Sequence, residues 1–121
     1  YLQVFQDIVI PAAEKFAPEW ILVSAGFDPH RRDPLGGMGV TEKGFAVMAQ
    51  LLLRLAERHA GERAAFLLEG GYDLAALRSS VAAVLEAMQL GKNDANDLSQ
   101  PASNKLEPLL RSIRQVHEKY S

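Results

Sequence analysis

Two short, unbroken apolar runs constrain this chain more than anything else in it: Trp20-Ile21-Leu22-Val23 and Ala64-Ala65-Phe66-Leu67-Leu68. Each is too brief for a helix and is closed by turn-forming residues, Gly26 after the first and Gly70-Gly71 after the second. Continuous apolarity without alternation is the pattern of a strand buried on both faces. Between the runs, Phe45, Met48, Leu51, Leu52 and Leu55 recur at helical spacing over residues 41–59, with Thr41 placed as N-cap, Glu42 in the first turn and Gly61 as the stop. Strand, helix, strand predicts a right-handed crossover and a parallel pair. Both strands then end at one edge, and the loops after them open onto one crevice, where open α/β sheets place their ligands. Two strands are too few for a stable sheet, so neighbours have to come from elsewhere.

The other elements read as helical. Val4, Phe5, Ile8, Val9, Ala12 and Phe16 give an amphipathic first helix, with a kink or restart at Pro11. Asp73 is placed to cap a helix with Leu74, Leu77, Val81, Val84, Leu85 and Met88 on its apolar face. Residues 91–105 are polar and read as a linker or surface loop, and 106–120 form a last helix carrying Leu109, Leu110, Ile113 and Val116. The expected class is α/β, a parallel sheet flanked by helices. At 121 residues and net charge -2 the chain is one domain or part of one, without the basic footprint of a nucleic-acid binder. It has no cysteine, which excludes disulfides and thiolate metal sites and fits a reducing, cytoplasmic setting. No apolar run approaches the ~20 residues of a membrane span. The opening Tyr1-Leu2-Gln3 lacks a methionine and the basic flank of a signal peptide, and reads as the start of a fragment or processed product.

Charge collects in the loop after the first strand: Asp28, His30, Arg31, Arg32 and Asp33, then Pro34 and Gly36, Gly37 and Gly39. Asp33 is a candidate metal ligand or acid–base group, set against an aspartate that only hydrogen-bonds its own turn. Asp28, at the strand end, is expected to tie down the loop or to bind an ion structurally. His30 among arginines reads as a solvated group, His59 as a helix-end cation and His117 as lying on the exposed side of the last helix. Arg31 and Arg32 read as a solvated face. Gly70-Gly71-Tyr72 between strand and helix offers close backbone approach and a phenol that can donate to an oxyanion, set against a plain tight turn. No GxGxxG or GxxxxGKS pattern is present, which counts against a phosphate-binding unit.

Taken together, Ser24-Ala25-Gly26-Phe27-Asp28, Asp33-Pro34-Leu35-Gly36-Gly37 and Leu68-Glu69-Gly70-Gly71-Tyr72-Asp73-Leu74 resemble the histone deacetylase superfamily, on its class II-like side with the acetylpolyamine amidohydrolases. The resemblance covers residues 1–90 and extends to the run-in Phe16-Ala17-Pro18-Glu19-Trp20. It implies the arginase-like fold of a zinc-dependent amidohydrolase that removes acyl groups from lysine side chains or polyamines. By position it makes Asp33 a Zn²⁺ ligand and Tyr72 the catalytic donor to the substrate carbonyl and oxyanion. Gly70 and Gly71 would line the acyl-lysine channel, and Val40 would stand at its rim.

The resemblance also implies what is missing. The tandem histidines that act as base and acid, and the Asp-x-His pair that completes the zinc site, have no counterpart here; Asp28-Pro29-His30 has the letters but stands in the wrong block. The 121 residues are therefore expected to be the C-terminal part of a catalytic domain (1–90), a linker (91–105) and a helix (106–121), inactive alone. The competing expectation is a non-catalytic α/β module that self-associates or pairs with another chain through its open sheet. Neither nucleic acid nor membrane is expected as a partner.

Overall fold

The structure, a computed structural model, describes residues 1–90 and 105–120. In chain order the elements are α1 (Leu2–Val4), a π-helical turn (Phe5–Val9), α2 (Ile10–Phe16), β1 (Ile21–Ala25), α3 (Glu42–His59), β2 (Ala64–Leu68), α4 (Leu74–Leu90) and α5 (Glu107–Tyr120). β1 and β2 pair in parallel, from Ile21 opposite Ala64 to Ala25 opposite Leu68. This is the α/β arrangement that the two apolar runs require. The 91–105 linker expectation falls outside the described residues except at Lys105, and the side chain of His117 also lies outside them.

Local chemistry sets the element ends. Thr41 is extended (φ -110°, ψ 167°) and its hydroxyl accepts the Gly44 N–H at 3.3 Å, capping α3, whose first turn holds Glu42 and last turn Arg58 and His59. Past the last turn, Gly61 takes a left-handed φ of +55°, which a glycine reaches without strain. Pro11 lies in the first turn of α2, and the expected kink takes the form of the wider π-helical turn directly before it.

The core is one-sided. One cluster joins Ile10, Ile21, Leu55, Ala56 and Ala60; a second joins Phe27, Val40, Phe45, Ala49 and Val84. The strand residues that meet them are Ile21, Val23, Ala25, Ala64 and Phe66. By register these all stand on one face of the sheet. On the other face Leu22 is 71% exposed and Leu67 54%. The expectation of strands buried on both faces is thus corrected: the described helices cover one side only, and the apolar runs keep a bare face.

The apolar face expected for α4 is also corrected. Leu74 and Leu85 are exposed, whereas Ala76, Ser80, Val84 and Ala87 are buried. Spaced four, four and three apart, these mostly small residues form a smooth strip on the helix, and α3 packs against α4 more extensively than any other pair of elements meets. In the first helical stretch only Ile10 is buried, and Phe16 is exposed. α5 docks on the π-helical turn, with Leu110 fully buried and Arg114 3.6 Å from Asp7.

Ser80 is the exception in this strip, a fully buried hydroxyl without a hydrogen-bond partner. An unsatisfied buried donor costs about 1–3 kcal/mol. Ser80→Ala is expected to raise unfolding free energy by about 1 kcal/mol, while Leu55→Ala lowers it by roughly 3 kcal/mol through the cavity it leaves. Urea denaturation of the longest chain carrying these residues measures both. A loss of stability on Ser80→Ala would mean that the hydroxyl is satisfied.

Candidate active site at the strand ends

β1 and β2 finish level, and their pairing runs on beyond the strands. The Glu69 N–H donates to the Ala25 carbonyl (3.2 Å), and the Phe27 N–H to the Gly70 carbonyl (2.8 Å). The two loops therefore meet at one edge, as the parallel crossover demands. Asp28, Asp33, Gly70, Gly71 and Tyr72 are brought together there.

Asp33 holds the two loops to each other. Its Oδ1 accepts the N–H groups of Leu35 (2.9 Å) and Gly36 (3.1 Å) in its own turn, and its Oδ2 accepts the Tyr72 N–H at 2.6 Å from the other loop. Burial pushes this carboxyl up, but the amides of Tyr72, Leu35 and Gly36 outweigh it and hold the pKa below the ordinary value of 3.8. Three amides engage both oxygens of a residue only 8% exposed. Three amides on about four lone-pair sites fix the direction of the carboxylate and leave Oδ2 room for a further partner, so the geometry is compatible with the expected metal-ligand role of Asp33.

Asp28 has the opposite character. Its Oδ1 rests against two glycines, and a Cβ built on either Gly26 or Gly70 would lie 2.8 Å from it. Among the described residues no hydrogen bond reaches this carboxylate. The glycines make a cradle that leaves the charge uncompensated at the strand end. The Asp28 backbone is fixed from the other side, since a Cβ on Gly36 would fall 1.7 Å from the Asp28 carbonyl oxygen. Gly71 has φ +131°, and a Cβ there would meet Leu77 and Phe27 at 3.0 and 3.1 Å. Only glycine suits either position. The Tyr72 side chain is 58% exposed at the mouth of this edge.

Other expected residues sit elsewhere. Val40, expected at a channel rim, is buried between Phe27 and Phe45 and bridges to His30, so it is a core residue. His30 is fully buried, not solvated. Its Nδ1 accepts the Arg32 N–H at 3.1 Å, and its Nε2 lies 3.3 Å from Glu42 Oε1, off the line of a good hydrogen bond. Arg32 reaches both oxygens of Asp73 (3.1 and 3.2 Å), while Asp73 caps α4 by accepting the Ala76 N–H at 2.7 Å. That capping amide, with Arg32 beside it, holds the Asp73 carboxyl below its usual range against the opposing effect of burial. Arg31 is exposed, as expected. The sequence reading missed the burial of His30 and the availability of Asp28; the Gly26-Phe27-Asp28 step at the strand end was the one signal for the latter.

An apolar cleft of about 240 Å³, lined by Phe5, Val23, Phe27, Phe45 and Phe66 among others, lies off this edge and takes in none of Asp28, Gly70, Gly71 or Tyr72. No group of three metal-ligating side chains occurs among the described residues. The donor set therefore fits one ligand's share of a metal site and no more.

This edge, with two carboxylates beside a Gly-Gly-Tyr turn at the ends of parallel strands, has the architecture with which open α/β sheets bind ligands. Residues 1–88 match the histone deacetylase domain, and the chain belongs to the histone deacetylase family. It is 42% identical over 112 residues to "Histone deacetylase 14, chloroplastic" of Arabidopsis thaliana, covering 92% of this chain and 26% of that one. It is 41% identical over 88 residues to the "Histone deacetylase-like amidohydrolase" of Pseudomonas aeruginosa, covering 73% and 23%. The crystal structure of the HDA15 HD domain superposes with TM-score 0.80 at 31% identity, over 99% of this chain and 32% of that one. The chain thus spans about a quarter of the length of these curated relatives. No helix among the described residues is long and apolar enough to cross a membrane.

Because the pKa of Asp33 is lower folded than unfolded, its contribution to stability is present above the unfolded value and is lost as pH falls through the folded one. Asp33→Asn is therefore expected to be less stable than wild type at pH 7, with the gap narrowing below about pH 4. Thermal melts from pH 7 to pH 2.5 check this; a gap that stays constant with pH would contradict the amide-held carboxylate.

Proposed function

We propose that these residues form the tyrosine-bearing wall of the active site of a zinc-dependent deacetylase that hydrolyses acyl-lysine or acylpolyamine amides. The observation that carries the reading is that the Asp33 carboxylate and the Gly70-Gly71-Tyr72 turn meet at one sheet edge, with the Tyr72 N–H donating to Asp33 Oδ2 at 2.6 Å. Family membership supports the reaction class.

In this reading Asp33 is the side chain that would hold the metal, its direction set by the amides it accepts, as the carboxylates that ligate metals are commonly oriented by hydrogen bonds of their own. Zinc, when bound, supplies Lewis acidity toward the amide carbonyl and lowers the pKa of water. The chain's own residues do the rest. Gly70 and Gly71, lacking side chains, let an extended acyl-amine stem pass close to the backbone. Tyr72 donates its phenolic hydrogen to the carbonyl oxygen, a bond that strengthens as negative charge develops on that oxygen. Asp33 aims Tyr72 by gripping its backbone amide. The remaining ligands and the general base are supplied from outside these 121 residues, so the chain alone is inactive. A reducing, cytoplasm-like compartment is proposed from the absence of cysteine; the names of two plant relatives carry the word chloroplastic.

The bare sheet face with Leu22 and Leu67 favours a second statement, that this chain associates with the rest of the parent domain or with itself. Either association is compatible with the deacetylase reading.

A fluorogenic acetyl-lysine assay with Zn²⁺, on the longest chain that contains these residues, tests the assignment. Tyr72→Phe is expected to lower kcat by roughly 10²–10³, the scale for removing an oxyanion donor. Asp33→Asn should abolish stoichiometric zinc binding, while Asp28→Asn retains it. Zinc binding lost in Asp28→Asn but kept in Asp33→Asn would overturn the assignment of the ligand.

A further inference from the structure

We infer that His30 and Glu42 act as a positioning pair for the active-site loop, fixing where Asp33 and Tyr72 stand; the role rests on the deacetylase reading above. A buried imidazole is not an idle filler here. His30 is the only histidine of the loop and is fully buried, yet it offers a polar atom in two directions. Nδ1 accepts the Arg32 N–H, so the ring carries its hydrogen on Nε2, the atom 3.3 Å from Glu42 Oε1. The same Glu42 oxygen accepts the Ser79 hydroxyl at 3.2 Å from α4. The imidazole is thus bonded to its own loop and stands 3.3 Å from the α3 carboxylate to which Ser79 of α4 donates. Stacking of the ring 6.4 Å from Phe45 adds a further fixed side.

Three anchors fall within four residues of the loop. His30 stands beside Glu42, to which Ser79 donates, Arg32 reaches Asp73, and Asp33 reaches the Tyr72 amide. Asp28 is two residues before the first of these. Hydrogen bonds from Arg31 N–H to the Val40 carbonyl (2.9 Å) and from Val40 N–H to the Pro29 carbonyl (3.1 Å) brace the stretch that holds them. If His30 lets go, the turn that carries Asp33 loses its nearest fixed point, and Asp33 is what holds Tyr72. The effect of His30 should therefore appear on the opposite loop, at residues 70–73, which the imidazole does not touch.

The test uses His30→Phe, which keeps the ring and its volume and removes both polar atoms, and Glu42→Ala at a partly exposed position that tolerates truncation, in the longest zinc-loaded chain containing these residues. Amide hydrogen exchange is followed in peptides covering 31–36 and 69–73, alongside zinc affinity by chelator competition and steady-state kinetics. Both variants are expected to speed exchange at least tenfold in the 31–36 peptide and in the 69–73 peptide. They should weaken zinc at least fivefold and lower kcat at least tenfold with KM within threefold, and Glu42→Gln should restore all three. Faster exchange confined to 31–36, or kinetics and zinc affinity unchanged to within twofold, would overturn the positioning role and leave His30 a packing residue. If His30→Phe fails to fold, Glu42→Ala alone decides by the same readings. A wild-type chain with no deacetylase activity but with exchange coupled across the loops would sink the functional reading and leave the mechanical link standing.

Discussion

The Asp33 carboxylate is the interaction on which the site depends. Two parallel strands that end level bring their loops side by side, but nothing in the sheet pairing fixes the loops to each other beyond Gly70. Asp33 does so by accepting two amides from its own turn and one from Tyr72. Without it, the residue that carries the phenol would be held only by a turn of two glycines, which is the least restrained backbone available. The neighbouring Asp28 rests in its glycine cradle without a hydrogen-bond partner among the described residues.

Two aspartates five residues apart thus stand in different environments. Asp33 sits where amide hydrogens converge, which depresses its pKa and fixes its direction. Asp28 sits where Gly26 and Gly70 present only Cα hydrogens, so its charge finds no donor. No group of three metal-ligating side chains occurs among the described residues, which fits a metal site completed by residues outside them.

Much of this was legible in the sequence. The continuous apolarity of Ala64–Leu68 gave that strand to the residue, Thr41 announced the start of α3, and the crossover placed both loops at one edge before any coordinates were known. What failed has physical reasons. Apolar residues of strands whose neighbours lie outside the chain read as buried on both faces, but Leu22 and Leu67 stay exposed. A helix with leucines on several sides hid the fact that Ala76, Ser80 and Ala87 make its contact strip, because close approach favours small residues over large ones. His30 among arginines looked wet because its partner Glu42 lies twelve residues on, beyond the glycine turn. The letters at Asp28 and Asp33 are the same, and only the positions of the amide hydrogens distinguish their roles.

The cradle itself carries a consequence for how this site can vary. Gly26 and Gly70 belong to different loops, yet a methyl group on either would press on the same oxygen of Asp28. Substitutions at the two positions are therefore not independent. Once one has displaced the carboxylate, the second meets a vacated space and adds little further harm, so their effects are sub-additive. Two positions 44 residues apart in sequence behave in evolution as one coupled site, and a tolerated change at either has to be sought together with a shortened or retreated acid at residue 28.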